Sequence, residues 1–301
     1  MKTLRTIGEI RAHVAAARAA GRTLGLVPTM GAFHAGHHSL MRAARGEQDS
    51  VVVSLFVNPA QFNDQRDLAA YPRTEGNDAA EAAELGVDVL FAPAVSEIYP
   101  DGFATTVMVG GLAEVLEGAE RGPGHFAGVC TVVNKLFNIV GPDVAYFGQK
   151  DAQQLAVVRR MVKDLDIPVR IEAMPTIREP DGLALSSRNV RLKGTDRTRA
   201  LALHDALNAA QEAVAGGERD AARVIARAAT HLGGVDAEYL AIVDPESFSE
   251  LTTIDGRALV AVAANVGPVR LIDNVVLGVS PGGDPSRAPT SKGESRVHAT
   301  P

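Results

Sequence analysis

Four short segments of this chain are apolar almost end to end, and that pattern limits the fold more than any other feature. Thr23 to Val27, Val51 to Val57, Val87 to Phe91 and Val144 to Phe147 lack the in–out alternation of a strand with one wet face. Such strands belong in a parallel sheet covered on both sides. Elsewhere the apolar residues recur at helical spacing. Phe126, Val129, Val133, Phe137 and Val140 run up to Gly141-Pro142, and Leu155, Val158, Val162 and Leu165 run up to Ile167-Pro168. Strand and helix in alternation predict an α/β, doubly wound, Rossmann-like domain. Ligands of such sheets sit beyond the carboxyl ends of the strands, so the residues after Val27, Val57 and Phe147 are the first candidates for a site.

The pattern changes near Pro175. A turn-rich stretch around Pro180, Asp181 and Gly182 leads into Ala-rich helical segments, near Thr195 to Ala215 and Arg219 to His231. Strand-like runs follow at Tyr239 to Val243, Ala258 to Ala263 and Val269 to Leu277. The expected organisation is a Rossmann-like domain over 1–175, a smaller α+β lid domain over 176–280, and a tail over 281–301. That tail is rich in Gly, Pro, Ser and charge and is expected to be disordered. Two folded units suit 301 residues. With 46% apolar residues, only 4% aromatics and no Trp, the core must be aliphatic.

The net charge of −6 argues against a surface that binds a nucleic-acid backbone. A single cysteine, Cys130, excludes an intrachain disulfide framework and a Cys-cluster zinc site; it reads as a small core residue. No run reaches membrane-spanning length, and Met1 to Arg22 lacks the apolar core of a signal peptide, so the cytoplasm is the expected location.

Four clusters carry chemistry. Pro28-Thr29-Met30-Gly31-Ala32-Phe33-His34-Ala35-Gly36-His37 joins the first strand to a helix. It sets His34 and His37 at the positive end of that helix, where free N–H groups and the dipole favour phosphate and Gly36 admits a ligand to the backbone. The alternatives are a zinc pair, which needs a further ligand that the sequence does not supply, or two surface histidines. Phe56-Val57-Asn58-Pro59-Ala60-Gln61-Phe62 offers two neutral amides, Asn58 and Gln61, suited to hydroxyls or a carboxylate; Asn-Pro is equally a common turn starter. Phe147-Gly148-Gln149-Lys150-Asp151-Ala152-Gln153-Gln154 brings a lysine for phosphate and an acid that either accepts from a ribose hydroxyl or caps a helix. Leu185-Ser186-Ser187-Arg188-Asn189 has the composition of a mobile phosphate clamp, or of a solvated loop. Asp78, beside Asn77, is one candidate acid for Mg²⁺, which prefers one or two carboxylates plus phosphate oxygens.

Together these segments resemble the pantothenate synthetases, within the superfamily of class I aminoacyl-tRNA synthetases and nucleotidylyltransferases. The likeness covers about residues 1–280 and includes Tyr71-Pro72-Arg73-Thr74, Leu116-Glu117-Gly118 and His125-Phe126-Ala127-Gly128-Val129. It implies an ATP-dependent, Mg²⁺-requiring homodimeric ligase that activates (R)-pantoate as an acyl adenylate and passes it to β-alanine. It also implies roles. His34, His37 and Lys150 act on the phosphates, with Met30 and Gly36 beside the nucleotide. Gly148 and Asp151 hold the ribose, and Ser186, Ser187 and Arg188 the outgoing pyrophosphate. Gln61 and Gln154 bind pantoate, with Asn58, Thr29 and Met30 close by, and Asp78 helps to hold Mg²⁺. The chain departs from the family pattern at Gln149, Ala152, Asn77 and Leu185. It carries one residue more between Glu117 and His125, so no role passes to Arg121. The rival reading is an enzyme that transfers AMP to a phosphorylated acceptor; such an enzyme would need further basic residues where Asn58, Gln61 and Gln154 are neutral.

Overall fold

The structure, a computed structural model, describes residues 1–122 and 124–278; the tail over 281–301 lies outside the described residues. Six strands form one parallel sheet: β1 (Lys2–Leu4), β2 (Leu24–Thr29), β3 (Ser50–Leu55), β4 (Val89–Phe91), β5 (Val144–Gly148) and β6 (Arg170–Met174). Their spatial order is β1-β4-β3-β2-β5-β6. From β2 the chain steps outward through β3 and β4, then returns to the other side of β2 for β5 and β6. Gly25 faces Val144 and Leu26 faces Ala145 across that join. The order reverses between β2 and β5, and a crevice opens there at the carboxyl ends.

Successive residues of a strand point to opposite faces, and the two faces have separate cores. Leu26, Val52 and Val89 pack with Ile10, Val129 and Val133 from the helices Ile7–Ala19 and Gly124–Val140. Val27, Val51 and Val53 pack with Leu40, Met41 and Ala82 from the helices Ala35–Glu47 and Glu75–Glu84. Covering on both sides is why these strands are apolar throughout. The helix Gly124–Val140 stops at Gly141, whose φ of 55° no branched residue adopts cheaply, and Pro142 follows.

Two strands escape the sequence reading because they are edges. β1 is three residues long, and β6 reads Arg-Ile-Glu-Ala-Met, exposed or half-buried along its length. Neither carries a continuous apolar run.

The second half forms an antiparallel sheet, β7 (Asp236–Val243), β8 (Ala258–Val266) and β9 (Val269–Leu277), in that order. The helical segment expected from Thr195 is divided at Ala200 into Thr195–Arg199 and Leu201–Ala215. Val260 and Val262 of β8 face Leu203, Leu207 and Val224 of the helices Leu201–Ala215 and Ala221–Ala229. The residues between them, Leu259 and Ala261, join the core built around Phe126 and Val129. The antiparallel sheet is thereby laid across the mouth of the crevice.

Candidate active site

The crevice contains a cavity of about 270 Å³ bordered by the ends of β2, β3 and β5 and by β9. Thr29, the last residue of β2, donates its hydroxyl to Ser54 O at 2.6 Å, and its Oγ1 receives Gly31 N–H. The loop then turns through Ala32, held at φ 51°, into the helix Ala35–Glu47. His34 is the N-cap of that helix: its Nδ1 accepts from Gly36 N–H at 3.1 Å. A Cβ on residue 36 would stand 2.8 Å from the His34 ring, so the tight turn requires glycine. With Nδ1 accepting, the neutral ring of His34 carries its proton on Nε2. The His37 ring lies 4.2 Å from it, centre to centre, and His37 Nδ1 is buried without a hydrogen-bond partner among the described residues. Burial, reinforced by Lys150, depresses the His34 pKa to about 4. Burial and the neighbouring His34 depress His37 to about 3. Both imidazoles are neutral donors at physiological pH.

At the end of β3, Asn58 caps the short turn Pro59–Gln61. Its amide is fully used. Oδ1 accepts from Tyr99 Oη at 2.8 Å and from Ala60 N–H, while Nδ2 donates to Gln61 Oε1 at 3.0 Å and to Gly128 O at 3.1 Å. Asn58 therefore acts on Gln61, fixing which end of that amide donates: Gln61 Nε2 points at Met30 Sδ, 3.2 Å away. His125 Nδ1–H donates to Gln61 O at 2.9 Å, and burial depresses the His125 pKa to about 4. The turn can lie on the helix Gly124–Val140 only because residue 128 is glycine; a Cβ there would meet Ala60 O at 2.3 Å.

The third wall is the turn Gln149–Asp151 after β5. Lys150 stands 4.0 Å from Asp151, and its backbone is held from the other sheet. Asn274 Nδ2 of β9 donates to Gln149 O at 3.0 Å and to Lys150 O at 2.8 Å. The loop Ser186–Arg188 closes the top. Arg188 N–H donates to Ser186 Oγ, the Arg188 side chain pairs with Asp67 at 3.3 Å, and Ser187 hydrogen-bonds Tyr71. Gly148 and Gln154 complete the same lining.

The structure thus brings His34, Gly36, His37, Thr29, Met30, Asn58, Gln61, Gly148, Lys150, Asp151, Gln154, Ser186, Ser187 and Arg188 to one cavity. Asp78 is not among them. It is 2% exposed, and its carboxylate accepts from Ala32 N–H (3.0 Å), Phe33 N–H (2.9 Å) and the Thr74 hydroxyl (3.1 Å). Those three partners hold the loop that carries His34, a structural role that the metal-ligand expectation did not include. Among the described residues no group of three or more His, Cys, Asp or Glu side chains is placed to hold a metal ion. Cys130 is fully buried, its thiol pushed up to about 12.

Asn274, Tyr71 and His125 were not singled out from sequence as groups that shape the site. Asn274 sits in a strand with no motif around it, and only the three-dimensional register brings it to Lys150. A buried ion pair also ties the two halves: Arg270 of β9 donates to both oxygens of Glu117, at 2.8 and 2.6 Å, and Tyr239 Oη donates to the same carboxylate. Burial would raise the Glu117 pKa, but Arg270 outweighs it and holds the carboxyl below its usual range.

A parallel α/β sheet with two neutral imidazoles, a helix start and a lysine converging at its switch point defines a nucleotide-binding enzyme of the doubly wound class. Comparison with known proteins narrows this. The pantoate-beta-alanine ligase family model matches residues 2–276, and the chain belongs to that family. It is 54% identical over 283 residues to a pantothenate synthetase of Moorella thermoacetica, covering 93% of this chain and all of that one. A pantothenate synthetase of Thermus thermophilus superposes with a TM-score of 0.87 at 47% identity, over 91% of this chain and 99% of that one. A pantoate-beta-alanine ligase of Francisella tularensis, solved in complex with beta-gamma ATP and β-alanine, gives 0.76 at 35% identity, over 93% and 99%.

Proposed function

We propose that the cleft binds ATP and (R)-pantoate together, joins them as pantoyl adenylate, and then admits β-alanine. The reaction is the ATP-dependent condensation of (R)-pantoate with β-alanine to pantothenate, with release of AMP and pyrophosphate. In the first step a pantoate carboxylate oxygen forms a bond to the α-phosphorus, and the bond from that phosphorus to the bridging oxygen breaks. In the second, the free amine of β-alanine attacks the acyl carbon, the carbon–oxygen bond to AMP breaks, and the nitrogen sheds a proton.

The observation that carries this reading is the His34–Gly36–His37 arrangement facing Lys150. His34 Nε2–H is a fixed donor because Nδ1 is occupied by Gly36 N–H, and the orphaned His37 Nδ1 suits an additional polar partner. Two neutral donors and one cation stabilise charge as it grows on the phosphoryl oxygens without needing to transfer a proton. Ser186, Ser187 and Arg188 take the departing pyrophosphate; Gly148 and Asp151 take the ribose; Gln61 and Gln154 take pantoate beside Thr29 and Met30. Asn58 works by orienting Gln61. These neutral amides favour a polyol acid over the phosphorylated acceptor of the rival adenylyl-transfer reading.

Magnesium enters as the counter-ion of ATP. Among the described residues no group of three or more His, Cys, Asp or Glu side chains is placed to cage it, so phosphate oxygens and water would supply most of its coordination. A division at residue 175 makes 176–280 a lid that carries the Ser186–Arg188 loop and Asn274 to the ATP site. The cytoplasmic location and a homodimeric state complete the reading; no helix among the described residues is long and apolar enough to cross a membrane.

AMP formation from ATP, pantoate and Mg²⁺, with and without β-alanine, tests the proposal. Sustained AMP release only when both organic substrates are present supports it. Pyrophosphate release with a phosphorylated acceptor, and none with pantoate, would move the chain to the adenylyl-transfer branch.

A further inference from the structure

The cations around the cleft can be accounted for one by one. Arg188 pairs with Asp67, Arg270 with Glu117 and Glu238, Arg178 with Asp273, Lys150 stands beside Asp151, and Arg191 donates to Pro268 O. Arg121 is different. It ends the short helix Glu117–Arg121 and borders both the main cavity and an adjoining one of about 350 Å³, and it forms no hydrogen bond or ion pair among the described residues. Burial, and then the like charge of Arg188, push its pKa down. A guanidinium does not shed its proton at physiological pH; Glu117 and Asp67 act on this one through space but neither pairs with it, so its fork of donors is open to an anion that a reactant can supply.

We infer that Arg121 receives the carboxylate of the amine substrate, β-alanine, and so selects an amino acid over a simple amine. The inference rests on the ligase reading. Both other reactants already have groups placed for their anions. Lys150, the helix start at His34 and the Ser186–Arg188 loop face the phosphates, and the pantoate carboxylate is consumed in forming the acyl bond. The carboxylate of β-alanine alone stays charged from substrate to product. A planar guanidinium grips such a group with two parallel hydrogen bonds, and Arg121 lies where the adjoining cavity meets the reaction cleft.

The test compares the wild type with Arg121→Gln and Arg121→Lys in two assays. The first is pantoate-dependent exchange of labelled pyrophosphate into ATP without β-alanine. The second is overall turnover with β-alanine or with its uncharged amide, β-alaninamide. For Arg121→Gln, exchange should stay within about twofold of wild type. Its KM for β-alanine should rise on the order of ten- to a hundredfold, and its preference for the acid over the amide should collapse. Arg121→Lys keeps the charge without the fork and should fall between; it carries the test if the glutamine variant does not fold. The melting temperature of Arg121→Gln should not drop, because an unpaired charge is removed. Loss of exchange in step with turnover would assign Arg121 to the phosphates and overturn the inference, as would an unchanged KM for β-alanine. Absence of pantoate-dependent exchange in the wild type would instead defeat the ligase reading itself.

Discussion

Replacing Asp78 by Asn separates a loop-holding carboxylate from a metal ligand, two roles that sequence alone cannot tell apart. The native carboxylate satisfies two backbone N–H groups and one hydroxyl while 2% exposed. Asn has a single acceptor oxygen and turns an NH₂ toward the remaining donors, so at least one of the Ala32 and Phe33 N–H groups is left buried and unpaired. That costs about 1–3 kcal/mol. At roughly 2 °C per kcal/mol for a chain of this size, the melting temperature should fall by about 2–6 °C. The loop holds Ala32 in the left-handed region and ends on His34, so it should relax when released. A displacement near 1 Å at the imidazoles costs on the order of a hundredfold in kcat. Thermal melting and initial rates against Mg²⁺ concentration read both effects. The expected result is lower stability and lower kcat, with the half-saturating Mg²⁺ concentration unchanged. Wild-type stability with a tenfold higher Mg²⁺ requirement would refute the reasoning and restore Asp78 to the metal.

Two further outcomes follow from the same geometry. In the unfolded chain His34 and His37 take up protons near pH 6.5, whereas in the folded protein they resist protonation down to about 4 and 3. Their contribution to stability is therefore intact above pH 6.5 and is lost progressively as pH falls from there toward 3; kcat/KM should show no titration near 6.5 that disappears on substituting either histidine, and such a limb would contradict the neutral-imidazole assignment. Asn274→Ala frees the carbonyls of Gln149 and Lys150. Because Lys150 then loses its alignment, kcat should fall about tenfold or more under saturating substrates, while a kcat within twofold of wild type would remove Asn274 from the account.

The central strands were legible because burial on both faces leaves a continuous apolar run, as at Val51, Val52 and Val53. The edge strands β1 and β6 were not, because half-exposed residues carry no such signature. The site was legible where one local segment holds several of its groups, as in His34–Gly36–His37 and Gly148–Lys150–Asp151. It was hidden where a group acts from afar. Asn274 reaches Lys150 across 124 positions, and Asp78 reaches Ala32 across 46. Asp78 carries a role that spacing along the chain cannot reveal: an acid expected to face a metal also accepts from backbone donors of the loop that leads to His34. Asn58 likewise sits at the expected place yet spends its whole amide on protein partners.

The central claim is that the cleft forms an acyl adenylate. Pantoate labelled with ¹⁸O in its carboxylate tests this directly. Attack on the α-phosphorus followed by amide formation leaves one carboxylate oxygen on AMP, so mass spectrometry should find one ¹⁸O in each AMP released from fully labelled pantoate. Unlabelled AMP alongside pantothenate formation would mean that the carboxylate never joined the α-phosphorus, and would contradict the account.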